Sequence, residues 1–524
     1  VLLAVFSIWL YRSTLQAGFV WDDRAAIVGN KDVHGWSGSM WRHDFWGADL
    51  TLGDSHKSYR PVTVLTYRLN YSLHGLQSWG YHFGNLLVYA GVVLAVFALA
   101  LLLFDRWGVA AVSSVMFAVH PVHVEGVASL VGRADALSAL LFIMSATCAL
   151  LARGHTFAAP WMGRDRDGAV GMATQWTLSF LSLLLAVGAA LSKETGFTGA
   201  AGPVLRHNIA SIVRASLSVL CLFGLLLIRY FLHGASTELY PWTVMENHIS
   251  IIPDTQTRVL SYAQTHWWYV FKLVYPRHLC FDYGYHCMPT VDSILDYRNL
   301  LPVLAYAFGV SVFLRTRRGF GLVMCVILTA LPLLPALNIL FPVGALLAER
   351  LLFMPSVGFC IGAADLLVED LAPIWAHLNG HLLWVREKVT RQSRIPSAPY
   401  ILVNIRDEEL EIRRDSNVPA SLLFFLIPLV LWHSTVVLSR SRDWLGEYDL
   451  FKAGLNTCPD SLKALNNYGM LSMSIGNYED ALEAYQRATY LYPPAPSFYV
   501  NSGLAYQKSG RFVKSALMFE RAVK

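Results

Sequence analysis

The chain has 524 residues and a net charge of +5; 55% of its residues are hydrophobic and only 15% are charged. Soluble domains average about 25% charged residues, so this composition excludes an ordinary soluble protein and indicates an integral membrane protein. The mean hydropathy of +0.43 agrees with that assignment. The sequence has no basic stripe interleaved with aromatic residues, so we expect membrane lipids and no nucleic acid among its partners.

Apolar segments predict about eleven membrane crossings, because a span needs roughly 20 mostly apolar residues. The segments are 1–11, 83–104, 107–119, 126–152, 174–191, 197–205, 212–232, 299–314, 320–341, 352–367 and 419–438. We take the first segment as the remainder of an opening helix. The aromatic, amphipathic stretch 258–279 is predicted to be an interfacial or re-entrant helix, since Trp and Tyr favour the headgroup region.

Basic residues cluster in two segments that are not apolar, at 315–318 and 385–414. Because cytosolic loops are enriched in Lys and Arg, both segments are predicted to be cytosolic, the second within a linker at 368–418. Alternating crossings then place the N-terminus in the cytosol. They place the first large loop, 12–82, and everything after the last span, 419–438, on the opposite, luminal face.

Residues 439–524 are polar and repeat with a period of 34 residues. Pairs separated by this period are Gly469 and Gly503, Gly476 and Gly510, Tyr478 and Phe512, Tyr485 and Phe519, and Ala488 and Ala522. Small residues where two helices cross, with an aromatic residue in the second helix, are typical of tetratricopeptide repeats. We predict a short α-solenoid on the luminal side and expect further repeats to follow.

Two adjacent carboxylates, Asp22 and Asp23, follow the first apolar segment in the sequence WDD. Adjacent acidic residues cannot flank a scissile glycosidic bond as two separated carboxylates do. One of them can act as a general base that takes the proton of an acceptor hydroxyl, while the other orients it. The alternative is that the pair only caps a helix with its carboxylate oxygens.

Other ionisable residues fall on the predicted luminal turns and helix ends, where charges are usually paired and face a cavity. Four are candidates to bind the phosphate of a lipid-linked donor: Arg24, Arg133, Lys193 and Arg350. Six are candidates to line the same polar cleft: His120, His123, Glu125, Asp135, Glu194 and Glu349. The alternatives are interfacial anchors for the cations and a structural Arg133–Asp135 pair. A metal site in HPVHVEG is disfavoured because the HExxH pattern is missing, and no cofactor is expected.

Two cysteines, Cys280 and Cys287, lie in a predicted luminal segment. An oxidising compartment would allow a disulfide between them, and two free thiols fit the sequence as well. One glycosylation sequon starts at Asn70, close to a predicted span.

Seven blocks of sequence, together with the repeats, closely resemble the TMTC family of transmembrane and tetratricopeptide repeat-containing O-mannosyltransferases. The blocks are GFVWDDRAAIVGNKDV, HKSYRPVTVLTYRLN, HFGNLLVY, FAVHPVHVEGVASLVGRADALSA, LSKETG, LCFDYGYHCMP and LNILFPVGALLAERLLFMPSVGFC. The resemblance implies a GT-C type multi-span core over residues 1–367. In that fold WDD matches the functional acidic pair of the first luminal loop, so Asp22 or Asp23 is the expected base.

The same resemblance implies a dolichyl-phosphate-mannose-protein mannosyltransferase of the endoplasmic reticulum membrane. It would transfer mannose from dolichyl phosphate mannose to Ser or Thr of secretory-pathway proteins, with inversion at the anomeric carbon and cadherin-type domains as the acceptor class. The alternative is a non-catalytic membrane scaffold that binds luminal partners through its repeats. A transporter is disfavoured because the charges gather at one face and not in mid-span.

Overall fold

In the computed structural model the described residues are 1–152 except 36, 37 and 54, 171–196, a few positions between 220 and 231, 242–368 except 286 and 316–319, and 420–523. Over these residues the chain is helical, and the β-type pairing they contain is an isolated bridge between His43 and Asp49. The prediction of an all-α protein is confirmed. The predicted segments 197–205 and 212–232 and the linker lie almost wholly outside the described residues.

The helices of the membrane bundle follow the apolar segments of the sequence. They are Leu2–Leu10, Pro61–His74, Ser78–Phe104, Trp107–Ala118, Val124–Ala128, Arg133–Leu151, Met172–Ser192, Thr255–Val274, Leu300–Arg315, Phe320–Leu333, Pro355–Leu366 and Ala420–Asp443. Of the described helices, 5 are long and apolar enough to cross a membrane, or up to 6 if the bent pair Trp107–Ala118 and Pro121–Ala128 is one span. The chain is therefore a multi-pass membrane protein.

One predicted span begins later than the hydropathy of the sequence indicates. Residues 129–132 form a tight turn in which Gly132 N donates to Ser129 O at 3.2 Å, and the helix starts only at Arg133. A Cβ atom on Gly132 would lie 2.6 Å from the carbonyl oxygen of Gly126, so this close approach requires glycine. The turn carries the Ser129 to Val131 backbone to the end of the bundle where the acidic pair lies.

The helix Thr255–Val274 corresponds to the stretch predicted to be interfacial or re-entrant. Its 20 residues are long enough to span a membrane, but it is not apolar enough to be one of the five candidate spans. Its buried face packs on residues 337–347, where Tyr269 Oη donates to Leu346 O at 3.4 Å and His266 Nε2 lies 2.7 Å from Leu337 O. Polar side chains in its centre thus bond to the backbone of the neighbouring segment.

The first large loop folds over the end of the bundle around a small apolar core of its own. The core residues are Ala26, Ile27, Val33, Phe45, Val64, Tyr67, Tyr81, Leu130 and Val131. Because Leu130 and Val131 belong to the 129–132 turn, burial of this core fixes the loop onto the bundle.

The repeats form pairs of antiparallel helices with the predicted period. Their helices are Leu462–Ser474, Tyr478–Leu491, Pro496–Lys508 and Phe512–Val523. A Cβ atom on Gly469 would lie 2.6 Å from the Tyr485 ring, and one on Gly503 would lie 2.7 Å from the Phe519 ring. The 34-residue spacing of glycine and aromatic residues therefore marks the helix crossings, and the predicted tetratricopeptide fold is confirmed.

A further helix, Glu447–Thr457, joins the last span to the repeats, and we call it the linking helix. Its buried residues Leu450 and Phe451 share one continuous apolar core with the bundle. The Phe281 ring packs against Gly454 and lies 5.4 Å from the Phe451 ring. The repeats are thus packed onto the bundle at the end that carries the first large loop.

Candidate functional site

The two carboxylates of WDD lie on a turn, Val20–Asp23, which we call the acidic turn. Asp23 N donates to Val20 O at 3.1 Å and closes the turn. Trp21 has a φ of 52°, in the left-handed region that residues with a Cβ atom rarely adopt. This backbone separates the environments of the two neighbouring side chains.

The Asp23 side chain is fully buried and is used by the fold. Its Oδ2 accepts from Val20 N at 3.2 Å. Its Oδ1 accepts from Val131 N at 3.0 Å and from Ser129 Oγ at 3.4 Å. Burial raises the pKa of Asp23 to about 7, although the hydrogen bonds from Val131 and Val20 oppose that rise. Through these hydrogen bonds, the carboxylate of Asp23 holds the acidic turn against the 129–132 turn.

The Asp22 side chain is partly exposed. Within the described part of the chain its carboxylate accepts no hydrogen bond, and it interacts electrostatically with Arg350 and with Asp23. A carboxylate that is accessible and not used by the fold is able to accept a proton from a bound hydroxyl.

Arg350 is held in place by Glu125. The backbone N–H of Arg350 donates to Glu125 Oε2 at 3.1 Å, and Nη1 donates to Oε1 at 3.1 Å. Glu125 is buried, whereas the side chain of Arg350 is 31% exposed. Two of the predicted site residues therefore form a fixed pair whose cation is partly exposed and interacts electrostatically with Asp22.

Two more ion pairs continue this polar surface. Lys193 bonds to Asp135 in a buried pair. Arg60 donates two hydrogen bonds to Glu194 Oε2, from Nη2 at 2.9 Å and from Nε at 3.1 Å. Lys193 also interacts electrostatically with Arg60 and Arg350. Predicted cleft residues from separate parts of the sequence thus meet at one site.

Arg60 was not among the predicted site residues. The only signal in the sequence is its position directly before Pro61, which starts the helix Pro61–His74. That helix is joined to the end of Met172–Ser192 by a hydrogen bond from Thr63 Oγ1 to Ser192 O at 2.9 Å. The contact brings Arg60 to Glu194, a proximity that spacing along the chain does not reveal.

The two histidines of HPVHVEG lie in the packed core and do not line an accessible cleft. His120 Nε2 is 2.9 Å from Leu273 O. His123 Nε2 is 2.8 Å from Ser356 Oγ, and its Nδ1 is 3.0 Å from Tyr89 Oη. The prediction that these two imidazoles line the cleft is corrected, because they join three helices internally. Among the described residues, no three His, Cys, Asp or Glu side chains are grouped as metal ligands.

Arg133 also has a structural place. Its Nε donates to Asn85 Oδ1 at 2.7 Å, its Nη2 donates to Tyr81 O at 2.6 Å, and its Nη1 donates to Asn70 Oδ1. The guanidinium lies 4.8 Å from the centre of the Tyr67 ring. A buried arginine with these partners is not free to bind a phosphate. The Asn70 amide of the sequon is engaged as well, since its Nδ2 donates to Gly80 O at 3.1 Å.

Arg24 and Glu349 take part in contacts with other segments. Arg24 is 66% exposed, and its Nε lies 3.0 Å from Glu447 Oε1 in the linking helix. Glu349 is buried, and its Oε1 accepts from Cys280 N at 2.7 Å and from Tyr283 Oη. Burial raises the pKa of Glu349, and the nearby Arg440 and Lys272 oppose that rise. Glu349 anchors the loop around Cys280 directly beside Arg350.

Neither alternative for Cys280 and Cys287, a disulfide between them or two free thiols, is correct. Cys287 forms a disulfide with Cys458, at a Cα–Cα distance of 5.2 Å, and Cys280 is a buried free thiol. The physical reason is the docking of the linking helix on the loop, which brings Cys458 beside Cys287.

The chain is similar to known proteins over most of its length. Residues 236–310 match the family model described as "Protein O-mannosyl-transferase TMTC, DUF1736", and residues 469–510 match a tetratricopeptide repeat model. The chain is 30% identical to protein O-mannosyl-transferase TMTC3 of Homo sapiens, covering 96% of this chain and 52% of that protein. It is 29% identical to Tmtc3 of Drosophila melanogaster, covering 99% of this chain and 58% of that protein.

These matches confirm the resemblance to the TMTC family, and the chain spans about half the length of the curated relatives it matches. A structural similarity with a TM-score of 0.42 and 12% identity was found to ArnT from Cupriavidus metallidurans bound to undecaprenyl phosphate. It covers 88% of this chain and 80% of that chain.

Proposed function

We propose that this chain is a protein O-mannosyltransferase of GT-C type that transfers mannose from dolichyl phosphate mannose to a Ser or Thr hydroxyl, with Asp22 as the general base. The proposal rests mainly on the different environments of the two carboxylates in WDD. Asp23 is buried and hydrogen-bonded to the fold, whereas Asp22 is partly exposed and interacts electrostatically with Arg350. The reaction class comes from the relatives, which are protein O-mannosyl-transferases.

Asp22 would act on the acceptor. Its carboxylate takes the proton of the Ser or Thr hydroxyl as the hydroxyl oxygen attacks the anomeric carbon of mannose. The bond from that carbon to the phosphate oxygen breaks on the opposite side of the sugar. The products are a mannosylated protein with inverted anomeric configuration and dolichyl phosphate.

Arg350 would act on the leaving group. Among the described contacts of its guanidinium, only Nη1 donates a hydrogen bond, to Glu125. The remaining N–H groups can bind phosphate oxygens, for which arginine offers a planar fork. Because negative charge develops on the phosphate as the sugar leaves, a fixed cation there lowers the barrier. Lys193 and Arg60 interact electrostatically at the same site, but each is paired with a carboxylate, so neither pair adds net positive charge.

The cellular setting is part of the proposal. We place the chain in the endoplasmic reticulum membrane, with the acidic turn and the repeats in the lumen and a cadherin-like acceptor beside them. The Cys287–Cys458 disulfide supports this placement, since disulfides persist in oxidising compartments. It also ties the repeats to the end of the bundle where Asp22 lies.

The test is transfer by the purified chain in lipid nanodiscs, with dolichyl phosphate mannose and a folded cadherin-type domain as substrates. Intact-mass and peptide mass spectrometry of the acceptor should show the addition of one hexose at Ser or Thr. A folded wild-type chain that transfers no sugar from any lipid-linked donor would overturn the proposal and favour the scaffold alternative.

A further inference from the structure

We infer that Glu447, at the start of the linking helix, is a positioning residue of the transferase site: it fixes the backbone of Trp21 and thereby the direction of Asp22. Its kinetic consequence rests on the proposed function, whereas its structural basis does not. The linking helix, which joins the last span to the repeats, would thereby contribute to the reaction site itself.

The contact joins residues that are 426 positions apart. Glu447 Oε1 accepts a hydrogen bond from Trp21 N at 3.1 Å. The same oxygen lies 3.0 Å from Arg24 Nε, and the Glu447 side chain is only 17% exposed. One carboxylate oxygen of the linking helix thus binds the residue directly before Asp22 and the residue two positions after it.

The backbone at Trp21 needs such support. Its φ of 52° lies in the left-handed region, which crowds the Cβ atom of any residue other than glycine. Conformations of this kind persist where surrounding contacts impose them. The hydrogen bond from Trp21 N to Glu447 is one such contact.

The Trp21 ring is held by the same side of the molecule. It meets Phe281 edge-on, with the ring centres 5.0 Å apart. Lys463 Nζ, from the first repeat helix, lies 5.2 Å from the centre of the Trp21 ring. Lys463 Nζ and Ser461 Oγ also contact the Asp282 carboxylate, at 3.6 and 3.1 Å. The segment that carries Phe281 is therefore itself fixed to the repeats.

Asp22 therefore sits between two anchors that have different origins. On one side Asp23 bonds to Val131 in the bundle, and on the other side Trp21 bonds to Glu447 in the linking helix. Loss of the Glu447 contact leaves the bundle anchor intact. We expect the protein to stay folded while the backbone that carries Asp22 loses its fixed position.

A matched pair of variants separates the effect of the length of the Glu447 side chain from the effect of its charge. Glu447→Asp keeps the charge but shortens the side chain by one methylene, whereas Glu447→Gln keeps an oxygen in place and removes the charge. Glu479→Gln is the control, because Glu479 is an exposed carboxylate in the repeats whose ion pair is with Arg511. Each protein is compared in the same nanodisc preparation, with its unfolding temperature recorded.

Hydrogen–deuterium exchange of the peptide that contains Trp21 gives a readout that does not depend on activity. We expect faster exchange in Glu447→Asp and wild-type exchange in Glu447→Gln and Glu479→Gln. We expect kcat to fall roughly tenfold or more in Glu447→Asp, with donor KM changed by less than about twofold, because misdirection of a reacting group acts on the chemical step. Glu447→Gln should retain most of the wild-type kcat.

The results of these experiments test separately the contact between Glu447 and Trp21, its role in the reaction and the proposed function. Wild-type exchange in Glu447→Asp would overturn the positioning contact, and faster exchange with an unchanged kcat would overturn its role in the reaction. A loss of kcat in Glu447→Gln together with a wild-type kcat in Glu447→Asp would show that the charge, and not the reach of the hydrogen bond to Trp21, is needed, which also overturns the inference. Absence of transfer by the wild type overturns the proposed function, while the exchange data still decide the contact.

Discussion

The carboxylate of Asp23 accepts a hydrogen bond from the backbone amide of Val131 at 3.0 Å, across 108 residues of sequence. This bond fastens the acidic turn to the tight turn that precedes the helix Arg133–Leu151. It gives the two members of the WDD pair different tasks. Asp23 holds the site together, and Asp22 is left accessible for chemistry.

Replacement of Asp23 by alanine should lower stability. The change leaves the buried amides of Val20 and Val131 without their acceptor, and an unsatisfied buried donor costs about 1–3 kcal/mol. Unfolding of purified protein followed by intrinsic fluorescence in nanodiscs measures the effect. Asp22→Ala is the matched control and should unfold at the wild-type temperature, so equal losses in both variants would contradict the assignment.

Stability should also depend on pH through Asp23. Burial raises the pKa of this group from 3.8 to about 7 in the folded protein. The folded state therefore holds the proton more tightly than the unfolded chain, and this contribution to stability is full below pH 3.8 and is lost as the pH rises through about 7. We expect the unfolding temperature to fall between pH 5 and pH 8, with a smaller fall in Asp23→Asn, which has no proton to lose. Parallel pH curves for the two proteins would refute the prediction.

Replacement of Arg350 by glutamine should weaken donor binding. Hydrogen bonds to a charged group contribute about 1.5–3 kcal/mol, so the donor KM should rise roughly tenfold to a hundredfold. Arg350→Lys should lie between, because it keeps the charge without the planar fork. Steady-state kinetics at varied donor concentration measure both, with Arg487→Gln, an exposed arginine paired with Asp460 in the repeats, as control. A donor KM and a kcat that are both unchanged in Arg350→Gln would remove Arg350 from the phosphate site.

The disulfide can be tested by cutting the chain between its two cysteines. A protease site introduced into the linker, 368–418, separates Cys287 from Cys458 after cleavage. The two fragments should stay joined on a non-reducing gel and separate after reduction. Cys280→Ser should keep them joined, whereas Cys287→Ser and Cys458→Ser should each release them. Separation of the wild-type fragments without reduction would contradict the Cys287–Cys458 disulfide, and release by Cys280→Ser would show that Cys280 is the partner of Cys458.

Local patterns in the sequence predicted the parts of this structure that depend on local physics. Apolar length predicted the bundle helices, and the 34-residue recurrence of Gly469 and Tyr485 predicted the repeat crossings, because both depend on residues close together in the chain. The acidic pair and the pairing of charges at one end of the bundle were also predicted. Because an unpaired charge near a membrane is costly, the clustering of charged residues can be inferred from a single sequence.

What the sequence did not predict depends on contacts between distant segments. The different tasks of Asp22 and Asp23 follow from Val131, and the partner of Cys287 follows from the docking of the linking helix. Arg133 is indistinguishable from Arg350 as a cation at a helix end until Asn70, Asn85 and the Tyr81 carbonyl are brought around it. Each outcome was decided by tertiary packing.

The most direct test of the central claim is mannose transfer by the Asp22→Asn variant in nanodiscs, measured beside wild type and Asp23→Asn at matched amounts of folded protein. Asparagine keeps the size of the side chain but takes no proton, and loss of a general base costs about 10²–10⁴-fold in rate. We predict that Asp22→Asn folds with wild-type stability and loses transfer by at least a hundredfold, while any loss in Asp23→Asn follows its loss of folded protein. Transfer by folded Asp22→Asn at the wild-type rate would contradict the assignment of Asp22 as the base.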